Sequence, residues 1–307
     1  MGKLKYDLIT ILGPTACGKT HFAACLSERI GGEIISADSR QVYKRMDLGT
    51  GKDYDDYLVN GRTIPSHLID ILEPGEKYNL FEYQKDFLAA FNDITSRGKM
   101  PVMCGGTGLY IDAIIKGYRL LPVPPDNKLR KELESKTLEE LKHILGKYKK
   151  LHNTTDIDTK KRAIRAIEIE EYQHQHPEHS SKLPELDTIL IGIRYNREVI
   201  KKRITDRLKD RLKKGLIEEV EKLLTGAIKP EQLIYYGLEY KYITLYLTRK
   251  IEYDEMFSKL NIAIHQFAKR QMTWFRKMEK EGAVIHWLDE HSSFENRLEK
   301  TISLVEY

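Results

Sequence analysis

Short apolar runs alternate with longer amphipathic segments through the first hundred residues. A short apolar run predicts a buried strand, and we predict strands at Leu8–Leu12, where the run is continuous, at Glu33–Ser36 and at Met100–Cys104. The segments between them predict helices from Thr20 to about Arg29 and over Leu80–Ser96. Strands that alternate with crossover helices form parallel sheets. The pattern therefore predicts an α/β fold with a doubly wound parallel sheet.

The pattern changes at residues 121–126, where three prolines occur within six positions. Prolines break helices and stiffen linkers, so this stretch marks a boundary. Residues 127–172 are predicted to be charged helices with too few large apolar residues for a core of their own. The apolar run Thr188–Ile193 predicts that the sheet then resumes. We therefore predict a core domain over residues 1–120, a small helical insertion over 121–185, and the remainder of the core with a helical C-terminal region over 186–307.

The polar segment Gln173–Pro184 contains His174, His176 and His179. Histidine-rich tracts bind metal ions in some proteins. The surrounding residues are those of a solvated linker, and we interpret the segment as a loop.

Composition excludes several classes of protein. The charge of +5 arises from 51 basic and 46 acidic residues, which is too mild to identify a nucleic-acid-binding protein by itself. The three cysteines show no metal-binding spacing and are expected to be reduced thiols. No apolar stretch approaches the roughly 20 residues of a membrane span. We expect a cytoplasmic protein without membrane contact. The absence of a heptad pattern favours a monomer without an obligate protein partner.

The segment after the first predicted strand matches the phosphate-loop pattern G-x-x-x-x-G-K-[ST] in full. Backbone N–H groups of such a loop surround phosphate oxygens, the lysine adds a positive charge, and the final hydroxyl binds Mg²⁺. The strand before it and the helix after it are the context that the pattern requires. The predicted polyphosphate-binding residues are Gly13, Pro14, Thr15, Ala16, Cys17, Gly18, Lys19 and Thr20, with Thr20 as the metal ligand.

The phosphate loop does not identify the reaction. A nucleotide kinase or another NTPase would carry the same loop, together with a strand that ends in an aspartate near Mg²⁺. The second predicted strand ends in Asp38, which fits that role. An N-terminal helix cap is a further possible role for this aspartate.

Other segments resemble the motifs of the tRNA dimethylallyltransferases. Ile34–Lys52 is similar to the second signature of that family, and His67–Asp70 and Gly105–Tyr110 are similar to two more. Arg162–Glu168 and Ala268–Arg276 resemble its insertion and C-terminal motifs. The matches run in order from about residue 8 to residue 290, and kinases share only the phosphate loop.

This resemblance implies a P-loop fold whose loop holds dimethylallyl diphosphate, with Mg²⁺ as cofactor. The acceptor would be N6 of adenosine 37 in the anticodon stem-loop of tRNAs that read codons beginning with U. By resemblance, Asp38 takes up the proton of the attacking amine, which agrees with the need of a weak nucleophile for an oriented base. Lys19, Mg²⁺ and a basic side chain would stabilise the leaving diphosphate.

The resemblance also assigns residues to the acceptor. Ser39, Arg40 and Gln41 match the stretch that contacts the flipped adenine, although Arg40 occupies a variable position. Thr107 matches the residue that lines the channel between RNA and donor. A role as a turn hydroxyl or helix cap fits Thr107 equally well.

Residues 197–214 form a predicted helix with a buried stripe at Ile200, Ile204, Leu208 and Leu212. Arg203, Arg207 and Arg211 form a second stripe beside it. Arginines next to an apolar stripe point toward the protein body, where a guanidinium pairs with phosphate through two hydrogen bonds. The resemblance implies a diphosphate-binding arginine in this helix, with Arg207 the better match and Arg203 the next.

Basic clusters elsewhere are predicted to contact tRNA phosphates, since lysine and arginine supply most nonspecific RNA affinity. These residues are Arg162 and Arg165 in the insertion, and Lys269 and Arg270 near the C-terminus. The chain departs from many bacterial relatives at His265, where they carry arginine, and over Gly237–Tyr242. Three alternatives stay open at this point: an adenylate isopentenyltransferase that uses free nucleotides, a small-molecule kinase, and a noncatalytic RNA-binding relative.

Overall fold

A computed structural model describes residues 4–148, 158–176, 184–226 and 228–306. The chain divides into two compact units. The first unit combines residues 1–116 with residues 185–307, and the second unit is residues 117–184. Within the described ranges, no helix is both long enough and apolar enough to cross a membrane.

The predicted strands and helices of the first hundred residues are confirmed to within two residues at each end. The strands are β1 (Leu8–Leu12), β2 (Gly32–Ala37), β3 (Leu58–Val59), β4 (Arg62–Thr63), β5 (Ser66–His67), β6 (Met100–Gly105), β7 (Thr188–Ile193) and β8 (Ile285–Leu288). The helices are α1 (Lys19–Ile30), α2 (Leu80–Ser96), α3 (Gly108–Ile115), α4 (Asn127–Glu134), α5 (Leu138–Tyr148), α6 (Lys160–Gln175), α7 (Arg197–Lys213), α8 (Leu216–Thr225), α9 (Pro230–Leu233), α10 (Leu238–Leu247), α11 (Tyr253–Lys280) and α12 (Phe294–Val305). A short 3₁₀ helix covers Tyr54–Tyr57.

A six-stranded parallel sheet with the order β5-β2-β6-β1-β7-β8 forms the centre of the first unit. Ile9 of β1 lies opposite Val102 of β6 on one side and Ile189 of β7 on the other. Because β7 pairs with β1, the sheet resumes after the second unit, as the apolar run Thr188–Ile193 predicted. The P-loop type of parallel α/β fold is confirmed, whereas strand β8 at the sheet edge was not predicted.

Helices cover both faces of this sheet. Successive side chains of a strand point to opposite faces. Val102 belongs to the same buried cluster as Phe22 and Leu26 of α1, whereas its neighbour Met103 is contacted by the Tyr83 hydroxyl of α2, 3.6 Å from the sulfur. Helices α1 and α2 therefore lie on opposite faces, as a doubly wound sheet requires.

The carboxyl ends of the central strands meet at one edge of the sheet. Residues 13–18 follow β1, Asp38 follows β2, and residues 106–107 follow β6. Ligands of open parallel sheets bind at this edge, so the fold brings the phosphate loop and Asp38 together.

The second unit contains a small hydrophobic core, and the prediction that it lacks one was wrong. The buried residues are Leu133, Leu141, Leu145, Ala163, Ile164, Ala166 and Ile167. Helices α4, α5 and α6 each contribute a narrow apolar stripe, and three such stripes together exclude water although none is strongly hydrophobic alone. Residues 173–175 extend α6 instead of beginning a loop, and His179 lies outside the described residues.

Candidate active site

A cavity of about 720 Å³ opens at the carboxyl edge of the sheet in the first unit. The loops after β1, β2 and β6 line it, together with α7, α11 and the residues around Gly237. The predicted site residues that line the cavity are Thr15, Ala16, Gly18, Lys19, Thr20, Asp38, Ser39, Arg40, Gln41, Thr107, Arg203, Arg207 and Arg270. Of the remaining loop residues, Gly13, Pro14 and Cys17 are buried behind it. Lys269 is exposed on α11 and does not line the cavity.

The phosphate loop has the backbone conformation that its glycines permit. Gly18 adopts φ 78° directly before α1, a left-handed conformation that favours glycine. Lys19 places its Nζ atom 3.3 Å from the carbonyl oxygen of Pro14 and so curls over the loop. The N-terminus of α1 and the ammonium group thus face the same space, which is an anion-binding arrangement.

Gln271 of α11 braces two of the loops. Its Oε1 atom accepts the N–H of Thr15 at 2.8 Å, and its Nε2 atom donates to the carbonyl oxygen of Gly106 at 2.9 Å. The side chain is buried, and its hydrogen bond to Gly106 is shielded from water. Sequence reasoning missed this role. The available signal was a polar residue in helical register with the buried residues Ala268 and Phe275.

Asp38 lies in a tight turn whose conformation other side chains fix. Its Oδ1 atom accepts the backbone N–H of Arg40 at 2.9 Å, and turns instead of a helix follow it, which excludes the helix-cap alternative. Its Oδ2 atom has no hydrogen-bond partner among the described residues. Thr107 accepts the N–H of Ser39 at 3.1 Å through its hydroxyl and does not cap α3 with its side chain.

Gln41 is held by the protein on both sides of its amide. Its Oε1 atom accepts the hydroxyl of Ser36 at 3.1 Å, and its Nε2 atom donates to the carbonyl oxygen of Gly51 at 3.1 Å. One N–H of the amide is left for a ligand. Gln41 therefore ties the Asp38 turn to the loop around Gly51.

Arg207 and Arg211 of α7 share one carboxylate, that of Asp53. The Nη2 atom of Arg207 lies 2.5 Å from Oδ2 of Asp53, and Nη1 lies 3.4 Å from the hydroxyl of Thr15. Arg211 is buried and lies 3.2 Å from the same Oδ2 atom. Burial acts to raise the pKa of Asp53, but the two guanidinium charges outweigh it and lower this pKa. Asp53 was not predicted from the sequence.

Gly51 makes this arrangement sterically possible. Its φ is +76°, and a Cβ atom there would lie 2.5 Å from Nη2 of Arg211 and 2.9 Å from Nη2 of Arg207. Any other residue would displace the guanidinium groups.

A second unpredicted carboxylate, Glu219 of α8, fixes the preceding loop. Its two oxygens accept the N–H groups of Asp47, Leu48 and Gly49 at 3.0, 2.7 and 3.0 Å, and the hydroxyl of Tyr240 at 2.6 Å. Loop and helices are thereby joined beside the cavity.

Other arginines at the cavity lie against aromatic rings. The Cζ atom of Arg40 is 5.2 Å from the ring centre of Tyr235, and that of Arg270 is 6.0 Å from the ring centre of Phe267. Arg203, which also lines the cavity, lies 4.1 Å from the ring centre of Tyr195. His265, the departure noted above, contacts the hydroxyl of Thr205 at 3.4 Å and does not line the cavity.

In the second unit, the predicted tRNA-binding arginines form ion pairs. Arg162 pairs with Asp158 at 2.5 Å, and Arg165 pairs with the buried carboxylate of Glu168. Burial acts to raise the pKa of Glu168, but hydrogen bonds from Arg130 and Arg165 outweigh it and lower this pKa. The ion pair with Glu168 indicates that Arg165 stabilises the second unit. This role is independent of any contact with tRNA.

Comparisons with known proteins agree on one family. The profile named IPP transferase matches residues 41–278, and the profile named Isopentenyl transferase matches residues 6–64. A Bacteroides fragilis protein named tRNA dimethylallyltransferase 2 is 59% identical over 293 residues, which cover 95% of this chain and 96% of that protein. A Phocaeicola vulgatus protein of the same name is 58% identical over 302 residues, which cover 98% of each.

Solved structures give the same result. The tRNA isopentenylpyrophosphate transferase of Bacillus halodurans is 32% identical with a TM-score of 0.71, covering 98% of this chain and 95% of that one. A eukaryotic dimethylallyltransferase acting on tRNA is 22% identical with a TM-score of 0.75, covering 96% and 77%. The latter likeness concerns the fold alone.

Proposed function

The chain belongs to the IPP transferase family, and on this premise we propose that it transfers a dimethylallyl group from dimethylallyl diphosphate to N6 of adenosine 37 in tRNA. The tRNAs would be those that read codons beginning with U, and diphosphate would be released. The observation that carries this proposal is that the phosphate loop and the Asp38 turn open into one cavity. Diphosphate and acceptor amine thus meet in one place.

On the donor side, the N–H groups of the phosphate loop, Lys19 and Arg207 surround the position of the diphosphate. Their positive charges stabilise the negative charge that develops when the C–O bond of the donor breaks. Arg207 is presented to the loop by its hydrogen-bond contact with Thr15. Arg203, the second match from the sequence, has less support as a diphosphate ligand because, in the described part of the chain, Arg207 contacts Thr15 of the phosphate loop whereas no hydrogen bond joins Arg203 to that loop.

The residues present fit Mg²⁺ as a cofactor bound jointly with the donor. The hydroxyl of Thr20 lines the cavity and has no hydrogen-bond partner in the described part of the chain. The described residues contain no group of three or more carboxylate, histidine or cysteine side chains that would hold a metal ion. Mg²⁺ commonly takes one or two protein oxygens and completes its shell with phosphate oxygens and water. Thr20 would supply a ligand, and the ion would neutralise charge on the leaving diphosphate.

On the acceptor side, Asp38 would act as the base. Its Oδ1 atom is held by the N–H of Arg40, which leaves Oδ2 for the proton of the adenine amine. The N6–C1 bond forms as the C1–O bond to diphosphate breaks, and the amine proton passes to Asp38. Thr107 fixes the turn through Ser39, so it contributes to orientation.

The names of the close relatives favour tRNA over a free nucleotide as acceptor. We further propose that Ser39, Arg40 and Gln41 contact the adenine region, and that Arg162, Arg165, Lys269 and Arg270 contact phosphates of the anticodon stem-loop. A cytoplasmic monomer without an obligate protein partner completes this proposal.

The test is a product analysis. Purified protein would be incubated with Mg²⁺, dimethylallyl diphosphate and unmodified tRNA that carries A36-A37-A38, and the digested nucleosides would be weighed. We expect adenosine heavier by one dimethylallyl group, with the rate reduced roughly 10²–10⁴-fold in Asp38→Asn. Pyrophosphate binding should be retained by this variant, since Asp38 is not a phosphate ligand.

A parallel reaction would replace tRNA by AMP or ATP. Prenylated nucleotide together with unmodified tRNA would move the assignment to the free-nucleotide transferases. A phosphorylated product would restore the kinase alternative.

A further inference from the structure

Tyr235 is a large, exposed aromatic residue on the wall of the active-site cavity. Its side chain is 63% exposed, although tyrosine is more often half-buried. Asp38, Ser39 and Arg40 line the same cavity. An exposed ring at this position offers a flat apolar face to a ligand that occupies the cavity.

The ring is held in place by its neighbour. Tyr236 is 3% exposed, packs edge-on against Tyr43 with 4.7 Å between ring centres, and accepts the N–H of Gly75 at 2.5 Å. The backbone at residue 235 is therefore fixed by a buried side chain. A side chain on a fixed backbone loses less conformational entropy when a ligand stacks on it than one on a mobile backbone.

Arg40 lies over the ring of Tyr235 and adds a second planar group to this part of the cavity wall. Its guanidinium carbon lies 5.2 Å from the ring centre of Tyr235, and no carboxylate pairs with it among residues 4–148, 158–176, 184–226 and 228–306. Its backbone N–H is bound to the carboxylate of Asp38. The guanidinium of Arg40, two residues after the proposed base, and the ring of Tyr235 therefore form one part of the cavity wall.

The chemistry of this pair favours one class of ligand. A diphosphate would gain nothing from an aromatic ring, and an alkyl chain would gain nothing from a guanidinium. A nucleobase has a π face that stacks on tyrosine and on arginine, and unstacked bases of single-stranded loops are bound in this way.

We propose that Tyr235 and Arg40 form a stacking subsite for the nucleobase that neighbours the target adenine, at position 36 or 38 of the acceptor loop. This proposal rests on the proposed tRNA prenylation, because it presupposes that the target adenine lies at Asp38. It assigns to Tyr235 a part in acceptor binding and none in donor binding.

The test uses an anticodon stem-loop RNA with 2-aminopurine at position 36 or at position 38. The fluorescence of this base falls when it stacks on another ring. Binding to the wild-type protein should quench one of the two probes. Tyr235→Leu should abolish the quenching and raise the KM for RNA about tenfold, with pyrophosphate affinity unchanged. Tyr235→Phe, which keeps the ring, should behave as the wild type.

Tyr253 provides the matched control, since it is 43% exposed and does not line the cavity. Tyr253→Leu should leave quenching and KM unchanged. The inference is wrong if neither probe is quenched by the wild type, or if Tyr235→Leu quenches as strongly as the wild type. Because fluorescence reads stacking without turnover, either result is distinguishable from a failure to form prenylated adenosine.

Discussion

Arginines on the two sides of the cavity have different partners. On the donor side, Arg207 and Arg211 share the carboxylate of Asp53. On the acceptor side, Arg40 and Arg270 lie against the rings of Tyr235 and Phe267. A carboxylate neutralises a guanidinium and occupies its hydrogen bonds, whereas a ring leaves both its charge and its N–H groups available.

This difference indicates how each side receives its ligand. A diphosphate that binds Arg207 must compete with Asp53, so the carboxylate sets the geometry of the arginine at some cost in affinity. Arg40 has no carboxylate partner among the residues that the structure describes, so RNA that approached it would displace no internal anion there. On the proposed assignment, the donor side would exchange one anion for another, and the acceptor side would bind by stacking and by phosphate attraction.

Removal of Arg207 tests the donor side and should have the largest effect on donor binding. Arg207→Ala loses a charged hydrogen bond to diphosphate, so we expect the KM for the donor and the Kd for pyrophosphate to rise roughly 10–100-fold. RNA binding without donor should not change. The measurements are steady-state kinetics and pyrophosphate titration calorimetry.

Arg203→Ala is the matched control on the same helix. Because no hydrogen bond joins Arg203 to the phosphate loop among the described residues, whereas Arg207 contacts Thr15, we expect little change in donor binding. Equal losses in the two variants would contradict the separate roles of these arginines.

Glu33 provides an arginine–carboxylate pair that does not line the cavity. It is bound by Arg97 and by His67, both at 2.8 Å. The hydrogen bond from Arg97 outweighs burial and lowers the pKa of Glu33 to about 2. We expect Glu33→Gln to lower the free energy of unfolding at pH 7 by about 2 kcal/mol. Urea denaturation of the wild type and of Glu33→Gln, with and without pyrophosphate, would measure this change in unfolding free energy.

The pH dependence of this pair has a definite sign. An unfolded glutamate has a pKa of about 4.3, so the stabilisation is complete above that pH and is lost as pH falls toward 2. The difference in unfolding free energy between the wild type and Glu33→Gln should therefore disappear at acidic pH. If pyrophosphate changed the difference in unfolding free energy between the wild type and Glu33→Gln, the pair would not be independent of the active site.

Asp53→Asn should have the smallest effect on pyrophosphate binding. It should change affinity and stability in opposite directions. Without the competing carboxylate, we expect pyrophosphate to bind about fivefold more tightly and the free energy of unfolding at pH 7 to fall by about 1 kcal/mol. Because the folded pKa of Asp53 is lowered, its stabilising effect is present above about pH 3.9 and lost below it. Weaker pyrophosphate binding in this variant would mean that Asp53 orients Arg207 instead of competing for it.

The sequence predicted those features that short segments determine. Leu8–Leu12 is buried on both faces, so its apolar run is continuous and its bounds are those of β1. The register of α7 was also correct, since Ile200, Ile204 and Leu208 are buried. Leu212 is only partly buried whereas Arg211 is buried, because Asp53 supplies a partner that no local pattern reveals.

The features that escaped prediction join distant parts of the chain. Gln271 lies 256 residues from Thr15, and Glu219 lies 172 residues from Asp47. Such contacts depend on how the helices pack on the sheet, and the local patterns of a single sequence do not reveal this packing. The core of the second unit escaped for a related reason, since it is assembled from three weak stripes.

The lack of space at Gly51 bears on how the enzyme can change over evolutionary time. A side chain there would collide with Arg207 and Arg211 together, so a single substitution at this position disturbs two charges at once. Because φ at Gly51 is +76°, a side chain there would stay strained even after the arginine pair had been replaced. A library intended to alter donor choice should therefore keep glycine at position 51 while it varies positions 207 and 211.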